Sequence, residues 1–74
     1  MWAINSPIGL IRIYLDKSSG QYCLEFSGDV FSCYNDPAGA ADDVAGFVTG
    51  YVPYDSLCGS FDPPTELSEW SSFR

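Results

Sequence analysis

The segment Asp36-Pro37-Ala38-Gly39-Ala40-Ala41-Asp42-Asp43-Val44-Ala45-Gly46-Phe47-Val48-Thr49-Gly50 marks both of its own boundaries, and it constrains the fold more than any other part of the chain. Asp36 can cap the first free N–H groups, Pro37 suits the first helical position, where no N–H is needed, and Gly50 supplies a left-handed stop. The pattern predicts a helix over about 37–49. Ala41, Val44, Ala45 and Val48 follow the i, i+3, i+4, i+7 spacing of a buried stripe, widened by Ala40, Phe47 and Tyr51, while Asp42 and Asp43 point the other way. One side of such a helix requires cover, and the other displays charge.

The cover comes from the residues before it. A strand is expected over about 8–15, with Ile11, Ile13 and Leu15 on one face and Leu10, Arg12 and Tyr14 on the other. A turn at Asp16-Lys17-Ser18-Ser19-Gly20 leads to a second strand over about 21–27, in which Tyr22, Leu24 and Phe26 alternate with Cys23 and Glu25. Gly28 at the first central position of a type II′ turn then opens a third strand over about 30–34. Facing Lys17 with Gly20 sets Ile13 opposite Leu24, Leu15 opposite Tyr22, Ile11 opposite Phe26 and Arg12 opposite Glu25, so like meets like. The same logic places Phe26 opposite Phe31 and Leu24 opposite Cys33, with Cys33 facing in, Cys23 facing out, and Leu10, Tyr14, Cys23 and Tyr34 around the outer Arg12–Glu25 pair. The expected fold class is α+β: a three-stranded antiparallel meander packed against one helix, followed by an irregular, aromatic-rich C-terminal segment. Thr65 can cap a short final turn over 66–71 that packs Leu67 and Trp70 back on the body.

Seventy-four residues make one small domain, in which twelve aromatic side chains, each burying on the order of 150–250 Å², can supply the core. No stretch approaches the roughly 20 apolar residues of a membrane span, and Met1–Pro7 lacks the basic start of a signal peptide, so a cytoplasmic location is expected. Three cysteines without Cys-x-x-Cys spacing or a neighbouring histidine argue against a disulfide framework and against zinc; reduced thiols are expected, Cys23 and Cys33 being assigned to opposite faces.

With no histidine anywhere, neither a Cys–His nor a Ser–His–Asp arrangement can form, and Asp42 and Asp43, adjacent on a helix, diverge by roughly 100° instead of aiming at one site. Neither Asp29–Asp36 nor Asp55–Asp62 matches a calcium loop, and there is no glycine-rich phosphate loop with a lysine. The expectation is a non-enzymatic protein with no cofactor and no metal.

What the chain does carry is charge. The net charge is −7, and from Ser18 to Phe73 there are nine acids (Glu25, Asp29, Asp36, Asp42, Asp43, Asp55, Asp62, Glu66 and Glu69) and no Lys or Arg. Such a surface repels nucleic acid and anionic membranes and attracts a basic protein surface within about 8–10 Å at physiological salt. Plain solubility is one use of it; mimicry of the DNA backbone, with its one charge per roughly 1.7 Å, is the sharper one. Asp36, Asp42 and Asp43 would form one acidic row, extended by Asp55, Asp62, Glu66 and Glu69, with Tyr51 and Tyr54 as aromatic anchors inside the charged rim.

In size, acidity and lack of catalytic groups the chain resembles the small phage-encoded anti-CRISPR proteins, several families of which bind a CRISPR effector where its DNA target would go. The resemblance lies in overall character and in no motif. It implies a phage protein acting in the host cytoplasm and a basic partner, the subunit of a type I surveillance complex that reads the PAM or target duplex, blocked by competition. The alternative is a small structural or assembly module that binds a protein partner through its outer sheet face and aromatics.

Overall fold

The computed structural model describes residues 1–72. An antiparallel sheet contains β1 (Trp2–Ser6), β2 (Gly9–Asp16), β3 (Gln21–Phe26), β4 (Asp29–Tyr34) and β5 (Ser71–Ser72) in the order β4-β3-β2-β1-β5, and the helix α1 (Pro37–Ala45) lies across it. A second, four-residue helix, α2 (Val52–Asp55), and a 3-10 turn (Leu67–Glu69) belong to the C-terminal segment. The fold is α+β, a meander packed on one helix, with two strands more than the three expected.

The β2–β3 hairpin has the expected register: Ile11 faces Phe26, Arg12 Glu25, Ile13 Leu24 and Leu15 Tyr22. On the other side of β2, β1 sets Trp2 beside Ile13 and Ile4 beside Ile11, which widens the same apolar face. The β1–β2 turn closes at Gly9 (φ +114), where a Cβ would stand 2.3 Å from the Ser27 hydroxyl oxygen, so glycine is required both by conformation and by space.

The β3–β4 register departs from the expected one by two residues beside the turn and by one residue beyond it. Ser27 (φ 49) and Gly28 (φ 95) are the two central turn residues, the signature of a type I′ turn, so Phe26 faces Asp29 and not Phe31. Ser27 is held there by donating its N–H to the Leu10 carbonyl (2.9 Å) and its hydroxyl to the Ile8 carbonyl (2.8 Å), bonds that reach back to the neighbouring turn. A bulge between Leu24 and Glu25 takes up one residue of the difference, and beyond it Leu24 faces Ser32, Cys23 faces Cys33 and Tyr22 faces Tyr34. The assignments of Cys33 to the inner face and Tyr34 to the outer face are therefore reversed. Tyr34 lies under α1 and donates its phenol O–H to Asp43 at 2.8 Å, while Cys33 joins Cys23 outside.

The helix ends earlier than its sequence suggests. Asp36 caps it as expected, its carboxylate accepting the Ala38 N–H at 2.9 Å, but Gly46 is already the last half-helical residue. Phe47 adopts φ 55, its N–H bonds the Val44 carbonyl, and the Val48 N–H bonds the Asp43 carbonyl, which together form a Schellman closure. A left-handed phenylalanine is strained; its ring is compensated by stacking on Tyr54 (centroids 5.1 Å, 15°).

Ile11, Ile13, Leu24, Phe26, Ala40, Ala41, Val44, Tyr54 and Trp70 form the core. Ala40, Ala41 and Val44 come from the predicted helical stripe; Val48, beyond the helix end, is 64% exposed. Leu67 and Trp70 pack inward as expected, but the final turn spans only Leu67–Glu69, and Ser71 pairs with Ala3 in β5. Among the described residues no helix is long and apolar enough to cross a membrane.

Candidate functional site

Of the two cations among the described Lys and Arg residues, Arg12 is already engaged. Its guanidinium meets Glu25 in a two-pronged contact, Nη2 donating to Oε1 at 2.6 Å and Nε to Oε2. Glu25 is buried on the outer face, so a charge that would be costly alone is paired and hydrogen-bonded. Lys17 stands exposed in the β2–β3 turn, and Arg74 lies outside the described residues.

The expected site acids divide by what their oxygens do. Asp36 caps α1, and Asp43 accepts from Tyr34, whose phenol burial beside that carboxylate holds above its ordinary value. Asp55 is the most engaged: Oδ1 accepts from the Thr49 N–H (3.2 Å) and hydroxyl (2.6 Å), and Oδ2 from the Gly50 N–H (2.8 Å). It thereby clamps the link between the two helices. Glu69 has only a long contact from the Thr65 hydroxyl, at 3.4 Å. The carboxylates of Asp42, Asp62 and Glu66 are exposed and accept no bond within the described residues. Asp42 also sits in the last turn of α1, where the helix dipole is negative and no base accompanies it.

The two tyrosines are structural in different degrees. Tyr54 is fully buried, donates its hydroxyl to the Val44 carbonyl at 2.8 Å and packs on Phe26, Phe47 and Phe61; burial raises its phenol to about 12. It has no surface to offer a partner. Tyr51 is half-buried, stacked on Phe26 (4.6 Å, 10°) and edge-on to Phe31, which is itself 45% exposed. Tyr51 and Phe31 thus present a partly open aromatic corner where Tyr51 and Tyr54 were expected to.

Two of the expected acids share a groove of about 350 Å³. Asp62 and Glu69 line it together with Phe61 and Pro64 from the C-terminal segment, Ala3, Ile4 and Asn5 from β1, Leu10 from β2 and Ser71. Its floor is apolar and its charged wall is negative, so it can hold a positively charged group whose carbon stem needs cover. Sequence reasoning missed the β1 wall. Its signal is short but present: Trp2 and Ile4 alternate with Ala3 and Asn5 and stop at Pro7.

Among the described residues, no group of three or more His, Cys, Asp or Glu side chains is arranged to hold a metal ion. Comparison of the chain with protein-family models, with curated proteins and with solved structures finds no match.

Proposed function

We propose that this chain is a non-enzymatic acidic binding protein that occupies a basic, nucleic-acid-binding surface of a protein partner, in the manner of the anti-CRISPR proteins that it resembles. The observation that carries this reading is the set of unpartnered carboxylates, Asp42 above all. Asp42 opposes the dipole of its own helix and neutralises nothing nearby, so its local contribution to stability is unfavourable and its counter-charge belongs to another molecule. Asp62, Glu66 and Glu69 add to the charge available, whereas Asp36, Asp43 and Asp55 serve the fold first.

The test is displacement of labelled target duplex from a type I CRISPR surveillance complex, followed by mobility shift at low and high salt. The protein is expected to release the duplex, less effectively as salt rises, and Asp42→Lys with Asp62→Lys is expected to weaken release. A duplex that stays bound at saturating protein, or release indifferent to both salt and charge reversal, overturns the reading.

A second reading has its own observation. Among the described residues no helix packs on the outer sheet face, where Leu10 (44%) and Val30 (51%) are exposed on the same side as Tyr14. An assembly module would self-associate through this face independently of salt, and Tyr14→Ser would abolish that association; a chain that stays monomeric by sedimentation at high concentration removes this reading.

A further inference from the structure

The shift in register between β3 and β4 places two thiols face to face. Cys23 and Cys33 are direct cross-strand partners, and their sulfurs lie 2.7 Å apart. That is inside the contact distance of unbonded sulfurs and roughly 0.7 Å longer than the ~2.05 Å of a disulfide. Directly opposed strand residues have Cα atoms about 4.5–5.5 Å apart, within the span that a disulfide bridges without moving the backbone. The two thiols also differ in access: Cys33 is exposed on the sheet-edge strand, and Cys23 is 3% exposed beneath it.

We propose that Cys23 and Cys33 form a modification site for low-molecular-weight disulfides, closing to a cross-strand bond that pins the edge strand β4 to β3. The thiolate of exposed Cys33 attacks one sulfur of the small disulfide, whose S–S bond breaks and releases one small thiol. Cys23 then loses its proton and attacks the Cys33 sulfur of the mixed disulfide, releasing the second small thiol. Two protein thiols are oxidised by two electrons, and one small disulfide is reduced to two thiols.

Closure matters because β4 is the least secured strand of the sheet. None of its residues is buried, its outer edge has no neighbouring strand among the described residues, and a bulge interrupts its pairing. Burial, followed by the hydrogen bond with Cys33, pushes the Cys23 thiol up to about 11, so Cys23 stays protonated at neutral pH and exposed Cys33 makes the first attack. Cys58, exposed after α2, is the control thiol, since no cysteine is paired with it.

The probe is oxidised glutathione added to the folded wild-type chain, with intact mass, alkylation mapping and thermal unfolding as readouts. The expected product is a monomer lighter by two hydrogens, with Cys58 still alkylatable and Cys23 and Cys33 protected. Its unfolding midpoint is expected to rise by roughly 10 °C, as closing a short loop implies for a domain of this size. Cys58→Ser should leave the reaction intact and Cys33→Ser should abolish it. Glutathione adducts that accumulate on Cys33 without closing, or linkage that runs through Cys58, overturn the proposal. Because the wild-type chain gives the deciding mass, failure of a variant to fold does not blunt the test.

Discussion

From Trp2 to Tyr34 the chain is fixed by repetition, and from Gly46 to Trp70 by a few individual side chains. In the meander, every residue of β2 is paired on at least one side, and Ile11, Arg12 and Ile13 on both, so that many parallel pairings share the work of holding the register. In the C-terminal segment the backbone bonds are local, three or four residues apart from Tyr51 to Ser60. Tyr51 and Tyr54 attach that segment to the body through their rings on Phe26 and the Tyr54 hydroxyl on the Val44 carbonyl, while Phe61 on Tyr54 and Asp55 on the Thr49–Gly50 link brace it from within. A structure of the first kind degrades gradually under substitution, and one of the second kind fails at particular residues.

Tyr54→Ala should break that difference most visibly. It empties a fully buried site among three rings and removes a donor from the Val44 carbonyl, so a loss of about 3–5 kcal/mol is expected, close to the whole stability of a small domain. Ile13→Val, equally buried in the centre of the sheet, should cost only about 1 kcal/mol. Urea unfolding of both variants compares them; similar midpoints would mean that the segment is not held by single anchors.

Asp55→Ala comes next. It strips the acceptor from two N–H groups and one hydroxyl, and Thr49, whose hydroxyl also accepts the Tyr51 N–H, is buried. Hydrogen bonds to a charged group contribute about 1.5–3 kcal/mol, and a loss of about 2 kcal/mol is expected. Amide exchange should quicken at Thr49–Tyr51 before the strands respond. Exchange rising equally in β2 and β3 would show the two regions to be one cooperative unit.

Alkaline pH separates the regions without a large truncation. Tyr54 is raised to about 12 in the fold from an ordinary value of 10.0, so the folded state holds this proton more tightly. The associated stability is present below pH 10 and is lost as pH climbs from there towards 12. Cys23, raised from 9.0 to about 11, acts in the same sense on the sheet, over the window from 9 to 11. Tyr54→Phe is expected to cost about 1 kcal/mol at neutral pH and to flatten the stability loss above pH 10. An unchanged alkaline limb in that variant would assign the loss to other groups.

The same contrast explains what could be read from the sequence. Between β2 and β3, strict alternation and the meeting of Arg12 with Glu25 determine a single register, because a slip would part this pair and turn apolar residues away from the helix. Between β3 and β4 that constraint is absent: Ser32 and Cys33 are both tolerable inside or out, and the decision falls to Ser27, whose bonds to the Ile8 and Leu10 carbonyls come from another turn. Local pattern cannot carry such information. Gly46 and Gly50 are likewise both acceptable helix stops, and the choice depends on the ring of Phe47 finding Tyr54. For the candidate site, the acids were legible as charges but not as partners. Asp55 and Asp42 look alike in sequence, yet one is enclosed by the Thr49–Gly50 link and the other faces solvent.

Asp42 therefore gives the smallest effect on the fold and the sharpest on the comparison between residues kept for structure and residues kept for something else. It lies in the last turn of α1, exposed and unpaired, with its charge next to the negative end of the helix. Replacing it by lysine turns an unfavourable dipole interaction into a favourable one, and each such interaction contributes about 0.3–1 kcal/mol at an exposed site. The two changes add, so at the low, salt-screened end of that range Asp42→Lys alone should stabilise the chain by roughly 0.6–1 kcal/mol, raising the unfolding midpoint by a few degrees, an increment that shrinks further as salt rises. Asp43→Lys should do the opposite, because it removes the acceptor of the Tyr34 phenol. If the first variant is more stable and yet binds a basic partner less well, then Asp42 is retained at the expense of the fold. If it gains stability and loses no binding, the carboxylate is ordinary surface, and the acids lining the groove, Asp62 and Glu69, become the ones that matter.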